Sequence, residues 1–357
     1  MTARPTRLAE VAGFSIDRVA AAAGDDPDVL RLENLDTDLA PPAEAVEAIR
    51  AAIGELSANS YLPFTGKPEL RRAVAERVDV RSGVEYDTDT EVVITASDGD
   101  GLLDALLAVT DAGDEVVVTD PTYAGIVNRI RLAGARPRAV PMRAVDGAWR
   151  LDLERLTSAV GPATRAIMVQ NPSFPSGYVL TDAEWQAICR LCVERDLWLI
   201  YWALMEGIVF DGGPVIHPAS YLGMRERTIT VGTVSIEQRM IGWRIGWIVA
   251  PAAAMSDLSV VHIYNGRELR GFPMIRAAGG WSQILDARAL GVEPATLSRA
   301  LLSHGVAATP MTGWGGDIAD RHIRLVFSRE PVDRLGLLGV RIAKTLDDLG
   351  LTRPTSA

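Results

Sequence analysis

Residues 91–120 read EVVITASDGDGLLDALLAVTDAGDEVVVTD. Two short runs rich in β-branched residues, EVVIT (91–95) and EVVVT (115–119), flank a segment of helix length, GLLDALLAVTDAG. Strands separated by a helix-length crossover are the condition for parallel pairing, because a tight turn can join only antiparallel neighbours. The alternation continues outward through RAIMVQ (165–170), TDAEWQAICRLCVE (181–194), LWLIYW (197–202), TITVGT (228–233) and RIGWIVA (244–250). The pattern predicts an α/β fold whose large domain holds a mostly parallel central sheet. Ligands of such sheets bind beyond the carboxyl ends of the strands. The loops starting near Ser97, Pro121, Asn171, Tyr201 and Ser235 are therefore expected to line one site.

The last hundred residues read differently. GVAATP (305–310) and HIRLVFS (322–328) are strand-like, and Val332, Leu335, Leu338, Ile342 and Leu346 recur at helical spacing in a closing helix. This is the pattern of a separate, smaller α+β domain. The expected division is a large domain over 46–254 and a small one from 1–45 with 255–357.

The chain of 357 residues is 48% hydrophobic and 23% charged, a globular profile, and its net charge of −10 argues against nucleic acid or an anionic membrane as partner. No stretch of eighteen apolar residues and no leader-like segment occurs, which predicts a cytoplasmic location. The two cysteines, Cys189 and Cys192, share one face of the expected helix over 181–194 and read as buried structural thiols. With no further ligands in range they do not suggest zinc, and no metal site is expected.

Five stretches together resemble the class I/II aminotransferases of fold type I, a family that works with pyridoxal phosphate. They are SYLPFTGKPELRRAVAERV (60–78), DPTYAG (120–125), NPSFPSG (171–177), MIGWRIGW (240–247) and IRLVFS (323–328), in the family's order along most of the chain. The resemblance implies an aminotransferase-like large domain and a homodimer. It also places the family's Schiff-base lysine at Ile236, in the gapless frame GTVSIEQRMIGWR (232–244). The chain holds only Lys67 and Lys344, neither of them at that position.

The resemblance further puts Trp202 where an aspartate pairs with the pyridinium nitrogen, Met205 where a tyrosine bonds the ring oxygen, and Phe174 at the second asparagine of the NPxNPTG motif. Ser97-Asp98 replaces a glycine-serine pair of the phosphate cup, and Leu35 replaces a glycine near the substrate. Retained matches are Arg244 and Thr233 for the cofactor phosphate, Tyr123 for ring stacking, Tyr61 as a tyrosine from a neighbouring subunit, and Arg324 for the substrate carboxylate. Between Ala250 and the segment RAAGGWSQILDARAL (276–290) the chain is several dozen residues shorter than the family's usual interdomain run.

These departures lead to the expectation of no cofactor, with non-covalent binding of pyridoxal phosphate left open and Thr233 and Arg244 as vestiges of its site. The expected function is a PLP-independent reaction, a cyclisation, condensation or isomerisation, on a carboxylate-bearing, amino-acid-derived molecule. Arg324, Arg244, Tyr61, Tyr123, Phe174, Trp202, Met205 and Ile236 would line its pocket, and Asp98, Glu206, Tyr61 and Tyr123 are the catalytic candidates, with Glu237, His262 and His322 behind them. The alternatives are a non-catalytic partner of an active aminotransferase and a conventional aminotransferase. One outcome follows from Ile236 alone: borohydride reduction in the presence of pyridoxal phosphate should leave no pyridoxyl group on Lys67 or Lys344, as read by peptide mass spectrometry. An adduct at either lysine contradicts the alignment of Ile236 with the family's lysine.

Overall fold

The structure is a computed structural model that describes residues 11, 15–24, 28–33, 35–59, 62–210, 213–265, 282–326 and 337–351. It divides into two compact units, Met1–Glu268 and Leu269–Ala357. The division falls after residue 254 because the helix that follows belongs to the first unit's core, where Ala254, Met255 and Leu258 are buried.

The first unit is built on eight strands: β1 (Val92–Thr95), β2 (Glu115–Asp120), β3 (Arg136–Val145), β4 (Ala148–Leu151), β5 (Thr164–Gln170), β6 (Trp198–Ala203), β7 (Thr228–Thr233) and β8 (Gly246–Val249). Their order across the sheet is β1-β8-β7-β6-β5-β2-β3-β4. The run β7-β6-β5-β2-β3 is parallel. β8 is antiparallel to both β1 and β7, and β4 folds back on β3 as a hairpin. The sheet is thus the mostly parallel one expected. The β3–β4 hairpin has no counterpart among the expected strands, since its residues are largely exposed and carry no apolar run.

Helices of this unit are α1 (Ser15–Ala23), α2 (Ala43–Ala52), α3 (Pro68–Ser82), α4 (Asp98–Val109), α5 (Ala124–Leu132), α6 (Leu153–Ala159), α7 (Asp182–Arg195) and α8 (Ala252–Asn265). Successive strand residues point to opposite faces, so each buried strand feeds two core layers. Trp202, Ile200, Met168 and Val116 pack against α4, α5 and α8 through Leu102, Leu106, Ile126, Ile130 and Leu258. Tyr201, Leu199, Ile167 and Val117 pack on the other face against α6 and α7 through Leu156, Trp185 and Ile188. α3 covers the β1–β8 edge through Val74 and Val78, which meet Val92 and Trp247. α7 starts with a capping box, Thr181 accepting from the Glu184 N–H while Glu184 accepts from the Thr181 N–H. Cys189 and Cys192 are buried on its inner face as free thiols, pushed up in pKa by burial. Among the described residues no helix is long and apolar enough to cross a membrane.

The second unit contains β9 (Ser282–Asp286), β10 (Thr309–Pro310), β11 (His322–Val326), α9 (Pro294–Ser303) and α10 (Leu338–Asp348). Its sheet has the order β10-β11-β9, antiparallel throughout. Leu297, Leu301, Ile323 and Leu346 form its buried centre. The expected small α+β fold is present. Only Thr309 and Pro310 of the GVAATP stretch form a strand, however, and Val332 and Leu335 lie outside the described residues.

His217, 1% exposed, meets the ring of Tyr201 edge-on with centroids 5.0 Å apart. The Ala219 N–H donates to His217 Nδ1 at 3.2 Å, so the ring proton sits on Nε2, 3.4 Å from Thr230 Oγ1. Burial, with the Arg81 charge second, lowers the imidazole pKa to about 3. A folded-state value below the unfolded one means that unfolding takes up a proton between the two, so this contribution to stability is lost as pH falls below about 6.5. Urea denaturation should show the wild-type chain losing up to about 1.4 kcal/mol per pH unit more than His217→Gln between pH values of about 6 and 5. Parallel losses in the two proteins would contradict a neutral buried His217.

Candidate active site

The carboxyl ends of β5, β6 and β7 and the start of α4 bring one group of side chains together. Trp202, the penultimate residue of β6, is 5% exposed. Its indole Nε1 donates to Asp98 Oδ2 at 2.8 Å, and Ser97 Oγ donates to Asp98 Oδ1 at 2.6 Å. Tyr123, at the start of α5, lies between two further rings, 5.4 Å from Phe174 and 5.8 Å from Trp202 by centroids. Met205 and Ile236 are half-buried and pack with Tyr123 on the margin of the core layer that contains Trp202. Apolar side chains at strand ends are stabilised by packing on one another, and here an indole N–H also satisfies a buried carboxylate.

Beside this group lies an anion-directed corner. Ser97 caps α4 at φ 104 with no side-chain hydrogen bond to the helix, leaving first-turn N–H groups without a side-chain cap. A φ of this kind in a non-glycine residue marks local strain. The backbone can take this path because β8 opens on Gly246, where a Cβ would stand 2.4 Å from the Ser97 carbonyl carbon. Gly246 in turn pairs with Thr233 at the end of β7. The Thr233 and Ser235 hydroxyls are buried and 2.8 Å apart, and Thr233 Oγ1 donates to the Ile245 carbonyl at 2.9 Å. Arg244 is exposed and left-handed at φ 55, with one weak contact to the Ile241 carbonyl at 3.4 Å. The strand expected from Arg244 begins only at Gly246 because Arg244 has left the extended region.

Other sequence candidates fall elsewhere. Glu206 accepts from Tyr201 Oη at 3.3 Å, and Tyr201 belongs to the opposite core layer from Trp202. Burial pushes the Glu206 carboxyl up. Glu237 is committed to Arg77 at 2.6 Å, Arg81 at 3.1 Å and the Gly207 N–H at 2.7 Å. His262 pairs with Asp104 on α4, and Tyr61 lies outside the described residues. Arg324 and His322 sit on β11 of the second unit, where the Arg324 guanidinium covers the Trp314 ring at 4.8 Å. Lys67 and Lys344 are both exposed. The strain at Ser97 and the left-handed turn at Arg244 went unread because both occur at non-glycine residues, which give no sequence signal for positive φ.

Residues 27–265 match the family described as aminotransferase class I and II. The chain belongs to the class I and II aminotransferase family. It is 31% identical to the arginine–pyruvate transaminase of Pseudomonas aeruginosa, across 88% of this chain and 90% of that one. A probable N-succinyldiaminopimelate aminotransferase of Mycobacterium tuberculosis is 33% identical over 62% of this chain and 56% of its own length. The solved structure of N-succinyldiaminopimelate aminotransferase from Mycobacterium tuberculosis superposes with a TM-score of 0.69 at 27% identity, covering 96% of this chain and all of that one.

These similarities correct the expectation of no cofactor. A family match over residues 27–265 and near full-length similarity to a named transaminase point to pyridoxal phosphate as the cofactor. Thr233, Ser235 and the opening turn of α4 are the groups that would hold its phosphate, with the Asp98 and Asp100 carboxylates in the same turn opposing a dianion. The resemblance sets Ile236, which offers no amine, where the family's lysine attaches it.

The Trp202–Asp98 bond generates a direct test. Trp202→Phe keeps a ring in the layer but withdraws the donor from a carboxylate that is 8% exposed. The variant should lose about 1–3 kcal/mol in urea denaturation, the cost of leaving a buried acceptor short of a partner. Trp202→Phe made in the Asp98→Ala background should then cost clearly less. Equal costs in the two backgrounds would show that the bond contributes nothing.

Proposed function

We propose that the chain is an aminotransferase-family enzyme acting on an amino acid or its 2-oxo acid. Pyridoxal phosphate would be seated through its phosphate at the start of α4, without a lysine bond. The observation that carries the reading is the start of α4, which Gly246 sets against the end of β7 at Thr233, with the exposed Arg244 two residues before that glycine in sequence. Helix N–H groups and a guanidinium suit a phosphate dianion. The cofactor supplies an electron sink for charge that develops on the substrate's α-carbon.

The chain's own residues do the rest. Arg244 neutralises the anion, and Trp202 holds the Asp98 carboxylate by its indole N–H. Tyr123, between Phe174 and Trp202, offers an aromatic face for a ring. With isoleucine at 236, proton transfer falls to Asp98 or Tyr123, the two protic catalytic candidates that border Trp202.

A second reading, a site that binds but does not turn over, is favoured by one observation: Trp202 and Asp98 satisfy each other within the pocket wall. Absorbance titration with pyridoxal phosphate, followed by an amino-acid and oxo-acid exchange assay that includes arginine with pyruvate, separates the two. The enzyme reading expects saturable binding weakened by Arg244→Ala, with cofactor-dependent exchange. Saturable binding without exchange supports the second reading, and no binding contradicts both.

A further inference from the structure

Arg129, on α5, has its guanidinium fixed between the opening turns of two helices. Its Nε donates to the Gly99 carbonyl in the first turn of α4 at 2.7 Å, and its Nη1 donates to the Gly125 carbonyl in the first turn of α5 at 3.0 Å. Both acceptors belong to glycines, and the missing side chains make the room. A Cβ on Gly99 would stand 2.4 Å from Arg129 Nη2. A Cβ on Gly125 would stand 2.9 Å from Arg129 Nη1 and 2.3 Å from Tyr123 Cε1, so the guanidinium lies beside the Tyr123 ring. A side chain at either position would have to move the guanidinium or the ring.

We propose that Arg129 is a phosphate-binding residue of the candidate active site, with Nη2 as the atom that meets the cofactor's phosphate. Nη2 makes no hydrogen bond among the described residues, while Nε and Nη1 are both held. It takes the space of a side chain at position 99, in the same turn that is proposed to receive the phosphate. A guanidinium already oriented by two acceptors has less rotamer freedom to lose on binding. Arg244, by comparison, is exposed and held by one contact of 3.4 Å.

The charge of Arg129 is also available. Asp98 accepts from Trp202 and Ser97, and Asp100 from the Ala96 N–H at 3.3 Å, so neither carboxylate of that turn forms an ion pair with it. Those two carboxylates oppose a dianion, and a fixed cation against Gly99, between them in sequence, offsets the repulsion. The inference rests on the proposed seating of the phosphate at α4.

The test is calorimetric titration of the full-length chain, Arg129→Gln and Gly99→Ala with pyridoxine phosphate and with pyridoxine. The two probes differ only in the phosphate, and neither has an aldehyde to react with amines. Gly99→Ala keeps Arg129 but sets a methyl group where Nη2 lies. Circular dichroism checks that the variants fold. Each variant should raise the Kd for pyridoxine phosphate about ten-fold or more, as for a lost charge-assisted bond, and leave that for pyridoxine unchanged. Equal weakening of both probes, or of neither, overturns the phosphate role and leaves Arg129 as a tie between α4 and α5. A wild-type chain that binds pyridoxine phosphate no more tightly than pyridoxine contradicts the phosphate seat itself, and the role of Arg129 with it. If one variant fails to fold, the other decides by the same pair of probes.

Discussion

The hydrogen bond from Trp202 Nε1 to Asp98 Oδ2, 2.8 Å long, joins the end of the central strand β6 to the first turn of α4. Both groups are almost wholly buried, and each would be costly there alone: an indole N–H without an acceptor, and a carboxylate without a donor. Paired, they tie the end of β6 to the start of α4. Tyr123 packs at a tilt on both Trp202 and Phe174, and Met205 and Ile236 lie at the margin of the same core layer. The phosphate-directed corner lies at the same helix start, because the strained Ser97 backbone passes over Gly246. A single polar contact thus connects the apolar half of the site with its anion-directed half.

That division explains why the sequence and the family similarity point in different directions at the cofactor. The positions aligned with ring-binding and lysine residues read Trp202, Met205, Phe174 and Ile236, and these suggested loss of the cofactor altogether. The phosphate end reads otherwise, with Thr233, Ser235 and Arg244 kept beside an uncapped helix start. Similarity to transaminases along most of the chain weighs on the same side. A cofactor held by its phosphate is compatible with both sets of residues.

The sheet was legible because its strands are buried on both faces and so read as continuous β-branched runs, as in EVVIT and EVVVT. The β3–β4 hairpin was not, since its exposed residues show no apolar pattern. The aromatic group could be assembled in advance because each member ends a strand or opens the following loop. The opposite placement of Glu206 was hidden: it follows from Tyr201 and Trp202 pointing to different faces, after which Glu206 turns toward Tyr201. The His262–Asp104 pair was out of reach for another reason. Its histidine lies 158 residues from Asp104, and only the packing of α8 on α4 brings them together.

The proposed cofactor site, held by its phosphate end without a lysine bond, is tested most directly by a crystal structure of the chain grown with pyridoxal phosphate. The phosphate is expected at the start of α4, within hydrogen-bond reach of Thr233 or Ser235 and of Arg244, with no covalent link to the protein. Pyridoxal phosphate bonded to a lysine, or bound away from the α4 N-terminus while the Trp202–Asp98 wall stays closed, would contradict it.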